Sequence, residues 1–287
     1  MVRKIIVSLV VCVCILGIAF IGVYKWVEKK AQTLPANNPI VFQQQRRDAQ
    51  KKILVCIGDS LTHGTVSVNY VDMLSSRLAD RGIMVVNAGV NSEMAYNVVQ
   101  RLDAIVACRP DYITILIGTN DAAASLSPKN AQRYIKEMKL PQSPAREWFR
   151  ENLLKICTEL RARTHAQIAL LSLPPIGEKL DHPGYTASEA YSRVIQEVAT
   201  AQHLAYLPLH ENMTALLRSR KPHPRYPYRD DERLMYITIA RHYLLGQSYD
   251  EISRANGFLL LTDHMHLNST GADMVSDLIE SFVTKVD

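Results

Sequence analysis

The chain has 287 residues, 47% hydrophobic and 21% charged. That composition supports one sizeable core and excludes wholesale disorder. The formal net charge is +5 with no Lys/Arg block long enough to act as a nucleic-acid arm, so the excess reads as membrane-surface or solubility charge and nucleic acid is not an expected partner. The five cysteines have neither zinc-site nor redox-motif spacing and read as buried, inert thiols.

From Ile5 to Tyr24 the sequence is almost wholly apolar and carries no charge. At about 1.5 Å rise per residue, about 20 residues cover a ~30 Å hydrocarbon core. Arg3 and Lys4 precede this run, and Lys25, Trp26, Lys29 and Lys30 come after it as an interfacial anchor would. A cleavable signal peptide would have a shorter apolar run and then a small-x-small site. Residues 1–30 are therefore expected to form a single-pass N-terminal transmembrane anchor with basic flanks. A signal anchor of this kind exports the chain on its C-terminal side, to the periplasmic or extracellular face. Residues 31–50, polar and irregular around Pro35, Asn37, Asn38 and Gln43 to Gln45, are expected to be a tether, and residues 51–287 a folded domain.

In that domain short apolar runs alternate with amphipathic patterns. Strands are expected at Ile53–Ile57, Met84–Asn87, Tyr112–Ile117, Gln167–Ser172 and Ala205–Leu209. Helices are expected at Tyr70–Ala79, Met94–Ala107, Trp148–Arg163, Ala187–Ala201 and, last, Gly271–Val283. Strands this apolar and rich in β-branched residues suit an open parallel sheet covered on both faces. The active site of such a sheet lies beyond the carboxyl ends of its strands. Residues from about 210 to 260 break the rhythm. A basic, Pro/Tyr-rich part (Arg218 to Arg229) precedes helical patterns at Leu234–Leu245 and Tyr249–Ala255. This reads as a structured insertion over the active-site mouth, with the basic part suited to lipid headgroups or an anionic substrate.

The residues after the strands carry the chemistry. The first strand runs into Gly58-Asp59-Ser60-Leu61, where Ser60 either presents its hydroxyl to a cleft or caps the next helix. Thr62 occupies the second glycine position of a G-x-S-x-G elbow, which excludes that motif. Gly89, after the second strand, either offers its N–H to a bound group or is a turn glycine. Asn120, after the third, either donates to a developing oxyanion or caps a helix. Near the C-terminus, Asp263 lies three residues before His266, a spacing that lets a carboxylate orient an imidazole on a tight loop. A metal reading of Asp263, His264 and His266 lacks a further cluster of ligand spacing.

The order and spacing of these residues resemble the SGNH hydrolase superfamily, the GDSL esterases and lipases. Ser60, Gly89, Asn120 and His266 match its four letters, Gly58 to Leu61 its signature, and Asp263 to Asn268 its D-x-x-H-x-N element. Leu173-Pro174-Pro175-Ile176-Gly177-Glu178 also looks like a segment of bacterial members. The resemblance implies a three-layer α/β/α, flavodoxin-like fold with a five-stranded parallel sheet of order 2-1-3-4-5. It also implies a metal-free, cofactor-free hydrolase of carboxylic or thio esters, acting on a small-molecule, lipid or glycan ester. Its catalytic residues would be Ser60, Asp263 and His266, and its oxyanion hole would be Ser60, Gly89 and Asn120. An acyltransferase on the same site is a second reading. A non-catalytic binding module is a third, and neither G-x-G-x-x-G nor a P-loop supports it.

Overall fold

The computed structural model describes residues 22, 25–27, 29–45, 48, 50–226, 228, 229 and 231–285, in two units that divide between Leu34 and Pro35. In the first unit residues 25–27 and 29–32 are helical. The expected N-terminal transmembrane helix is corrected here. Among the described residues no helix is long and apolar enough to cross a membrane. The described helical residues include Lys25, Lys29 and Lys30, whereas a span needs about 20 apolar residues in succession. The run from Ile5 to Tyr24, Cys12 and Cys14 included, lies outside the described residues except for Gly22.

The second unit is a three-layer α/β/α domain on a five-stranded parallel sheet of order β2-β1-β3-β4-β5. The strands are β1 (Lys52–Gly58), β2 (Ile83–Gly89), β3 (Tyr112–Leu116), β4 (Gln167–Leu171) and β5 (Ala205–Leu207), each within two residues of the expected bounds. Ile53 to Ile57 are wholly inaccessible, which is why the strand reads as a continuous apolar run: helices cover both faces. Full burial of each such side chain contributes about 1.5–3 kcal/mol.

Helices lie on either side of the first strand in the chain. α1 (Pro39–Gln44) lies inside the stretch expected to be a tether. It is capped by Asn38, Phe42 joins the core, and Asn37 bonds to the Val85 carbonyl at 3.2 Å. α2 (Ser60–His63) begins directly after β1, and α3 (Tyr70–Leu78) leads towards β2. The single helix expected over Met94–Ala107 is two, α4 (Ala95–Val99) and α5 (Leu102–Ala107). The break is at Arg101, which leaves helical geometry to place its guanidinium 2.7 Å from Glu93 and 2.8 Å from the Ala88 carbonyl.

After β3 come α6 (Thr119–Ala124), α7 (Pro128–Glu137) and α8 (Arg146–Arg163), and β4 leads to α9 (Pro183–Ala201). α10 (Leu209–Arg220) buries Leu209, Met213 and Leu217, one apolar stripe at helical spacing, and packs against α13 (Ser269–Thr284). The first turns of the expected insertion therefore belong to the layer that covers the sheet. The remainder forms α11 (Arg233–Leu245) and α12 (Tyr249–Asn256), as its apolar second half predicts. Cys56, Cys108 and Cys157 are buried and unpaired by disulfide, and burial pushes their thiols up to about 12, 11 and 12.

Candidate active site

The sheet register brings three of the sequence candidates together. Gly58 is opposite Gly89 on one side and Leu116 on the other. Ser60, Gly89 and Asn120 thus leave neighbouring strands, which are spaced about 4.8 Å apart. Glycine at two of these ends has a steric reason. A Cβ on Gly58 would lie 2.0 Å from Thr62 Oγ1 and 2.6 Å from the Leu116 carbonyl oxygen, and one on Gly89 would lie 2.2 Å from the His63 nitrogen. Without them α2 could not fold directly onto the strand ends and present Ser60 at its first turn. Asn87 secures the same junction. Its Nδ2 donates to the Thr62 carbonyl at 2.8 Å, and its Oδ1 accepts the Gly89 N–H at 2.9 Å. The Gly89 amide, expected to face a bound oxyanion, therefore already has an acceptor.

Asn120 lies in the first turn of α6 and is buried. Its Nδ2 donates to the Glu93 carbonyl at 2.9 Å and its Oδ1 accepts from Tyr134 Oη at 2.8 Å. A carbonyl only accepts, so this pair fixes which end of the amide is NH2, and that group has a second hydrogen to offer.

Asp263 and His266 lie on a loop between α12 and α13 whose only sheet-like feature is a single bridge from Leu261 to Leu267. The loop folds back across the sheet edge. Leu267 N–H donates to Ser67 Oγ at 3.0 Å and Val68 N–H to the Leu267 carbonyl at 2.9 Å. His266 Nε2 is thereby 3.0 Å from Ser60 Oγ, and His266 Nδ1 is 2.9 Å from Asp263 Oδ2. Asp263 Oδ1 also accepts the Met265 and His266 N–H groups at 2.7 and 2.9 Å. Burial favours the neutral carboxyl, but the His266 charge and these hydrogen bonds outweigh it and hold Asp263 below the usual carboxylate range. Burial likewise opposes the imidazolium, yet Asp263 and the more distant Asp59 raise His266 above its ordinary value. His264, the other candidate in this stretch, is turned away into an aromatic pocket between Tyr228 at 5.0 Å and Phe258 at 5.6 Å.

Beneath Ser60 lie two buried acids that take no part in the hydrogen-bond chain. Asp59 caps α2 by accepting the Leu61 N–H at 3.0 Å, while its Oδ2 has no protein partner among the described residues. Burial pushes Asp59 up to about 7, and Asp121, which accepts from Ala95 N–H, also to about 7. Asn87, Tyr134 and Glu178 are further residues that position the site. Only Glu178 stands in a recognisable sequence segment, and nothing local to Tyr134 marks its approach to Asn120. The insertion borders the site from two directions. Tyr243 and Tyr249 both donate to the Thr65 carbonyl at 2.6 Å, and Tyr228 packs between His182 and His264. Among the described residues no group of three or more His, Cys, Asp or Glu side chains is arranged to hold a metal ion.

A parallel sheet of this order, with serine, glycine and asparagine after three adjacent strands and a histidine returned to the serine by a C-terminal loop, is the arrangement of SGNH-type esterases. The GDSL-like Lipase/Acylhydrolase family model matches residues 56–274, and the chain belongs to that family and is an ester-hydrolysing enzyme. Among solved structures, Axe2, an acetylxylan esterase from Geobacillus stearothermophilus, is similar with a TM-score of 0.56 at 17% identity, over 81% of this chain and 94% of its own. The acetyl xylan esterase AlAXEase gives 0.58 at 19%, over 80% and 99%. LAE5, an alpha/beta hydrolase enzyme from the metagenome of Lake Arreo, Spain, gives 0.55 at 16%, over 82% and 95%. At such identities the likeness is one of fold. Three Axe2 structures are of catalytic mutants in which a serine, an aspartate or a histidine is replaced by alanine, the aspartate lying three positions before the histidine. No curated protein matches the chain.

Proposed function

We propose that the enzyme cleaves carboxylic esters through an acyl-enzyme on Ser60, and that its substrates are short-acyl esters of carbohydrate alcohols. The observation that carries the mechanism is the continuous Ser60–His266–Asp263 hydrogen-bond chain, 3.0 and 2.9 Å. His266 Nε2 removes the Ser60 hydroxyl proton as Oγ attacks the ester carbonyl. Asp263 accepts from Nδ1–H, holds the tautomer that leaves Nε2 free, and stays ionised throughout. His266 then returns the proton to the departing alcohol, and the same base activates the water that releases the acid. The developing oxyanion is held by the Ser60 N–H, an orphan donor at the start of α2, and by the second Nδ2 hydrogen of Asn120. Gly89 N–H, shared with Asn87 Oδ1, contributes as a three-centre donor.

The carbohydrate part of the reading is supported by the acetylxylan esterases of like fold and by their catalytic serine, aspartate and histidine, the last two at the same spacing. The test pairs a fluorophosphonate probe with acetate release from acetylated xylo-oligosaccharides and a series of p-nitrophenyl esters of increasing chain length. Labelling at Ser60, acetate release, and rates that fall with chain length are expected. Absence of labelling would remove the nucleophile, and a preference for long chains would remove the substrate class.

A further inference from the structure

The strongest unassigned feature near the site is a buried carboxylate that touches neither Ser60 nor the imidazole. Glu178 ends the Leu173 to Glu178 segment and is only 4% exposed. Its Oε1 accepts the N–H groups of Leu260 and Leu261 at 2.7 and 2.9 Å, and its Oε2 accepts that of Leu259 at 2.8 Å. Those three consecutive amides immediately precede Thr262 and Asp263, where the chain is in neither helix nor continuous sheet. Buried amides outside a ladder need an acceptor from elsewhere. A carboxylate is suited to three of them because it only accepts and has about four lone-pair sites. On the far side of Asp263 the preceding residue makes a second tie, Gly177 N–H to the His264 carbonyl at 2.7 Å. The loop is thus held from both sides of its aspartate by two adjacent residues.

The platform that provides these ties is itself fixed. Ser192 Oγ accepts Leu173 N–H at 3.0 Å and Ser188 Oγ accepts Ile176 N–H at 3.2 Å, from one face of α9. His210 Nδ1 is bonded to the Leu173 carbonyl at 2.9 Å. A chain of short contacts therefore runs from a core helix, through Glu178, to the backbone that carries Asp263 and His266.

We infer that Glu178 is a positioning residue for the reaction: its carboxylate sets the backbone register of the Asp263–His266 loop and so the placement of His266 Nε2 against Ser60. The inference rests on the Ser60–His266–Asp263 mechanism proposed for this enzyme. Glu178→Gln keeps the side chain's volume but replaces one acceptor oxygen with a donor aimed at a backbone N–H. Glu178→Asp keeps the charge and retracts it.

The experiment measures kcat, KM and the pH profile of kcat/KM for wild type, E178Q, E178D and S60A on p-nitrophenyl acetate, well below each melting temperature. In E178Q, kcat is expected to fall about 10- to 100-fold, the scale of an ångström-sized misplacement, with KM within about twofold. The acid limb should move down towards the ordinary histidine value of about 6.5 as the Asp263–His266 bond loosens. E178D should recover part of both. Wild-type kcat and acid limb in a folded E178Q, even one that melts earlier, would overturn the inference by reducing Glu178 to a purely structural tie. If E178Q does not fold, E178D decides on the same two readouts, and wild-type values there overturn it. An S60A enzyme as active as wild type would instead overturn the mechanism on which the inference rests.

Discussion

The two halves of the active centre are built on different principles. Ser60, Gly89 and Asn120 lie within four residues of the ends of β1, β2 and β3, and the ladder pairing Gly58 with Gly89 and with Leu116 places them. Asp263 and His266 lie on irregular backbone, placed by individual side chains: Glu178 on the preceding amides, Asn256 on the Thr262 carbonyl, Asn268 on the Leu259 carbonyl and Ser67 on Leu267. The strand half shares its supports with the core, so damage there costs stability and activity together. The loop half has its own supports, so damage there separates the two. Bistable or loosened geometry of the triad should accordingly arise from the loop rather than from the sheet.

The most severe way to test the contrast is to remove the group where the halves meet. Ser60→Ala is expected to lower kcat by about 10⁴-fold or more with little change in melting temperature, as seen by single-turnover assay and calorimetry. Retained activity would sink the assignment. Next, Asn120→Ala should lower kcat about 10²–10³-fold. Unlike Ser60→Ala, it should also lower the melting temperature, because the Glu93 carbonyl and Tyr134 hydroxyl each lose a buried partner.

The loop half is probed by pH. His266 acts as base only when neutral, and its pKa is raised in the folded protein. Activity should therefore begin to fall at a higher pH than for an ordinary histidine, with the acid-limb midpoint of kcat/KM above about 6.5. A profile flat from pH 5 to 8 would count against this base. The smallest effect belongs beneath the strand half. Asp59 titrates at about 7 in the fold, raised by burial. A raised folded pKa means its favourable contribution is complete below the unfolded value and is lost as pH rises through 7, because an ion must then be buried. Asp59→Asn keeps the acceptor for Leu61 N–H and removes the charge. It should raise the melting temperature by a few degrees at pH 8, on a scale of about 2–4 °C per kcal/mol, and change it less at pH 5. Equal shifts at both pH values would show that burial of the charge is not the cause.

Much of this was legible in one dimension. Continuous apolar runs and amphipathic spacing located the five strands and the helices that Tyr70, Trp148 and Leu234 help to form, because burial on both faces of a sheet or one face of a helix leaves a period in the sequence. Four short helices left no clear expectation: α1, α6, α7 and α10. α6, for example, owes its place to Gly118, a non-helical backbone turn over Phe149. The apolar run before Tyr24 met the length rule for a membrane span, yet no described helix meets it. That rule reads composition, whereas a span is a property of a formed helix.

The residue types of the site, their order after the strands and the three-residue spacing of Asp263 and His266 were all determined by the sequence alone, because each depends on local backbone geometry. Only the tertiary structure decided that Gly89 is needed to let α2 close on β2, that its amide is already bonded to Asn87, and that Glu178 holds the histidine loop. Those contacts join positions tens of residues apart, and no periodicity along a chain records which distant amide a buried carboxylate will meet.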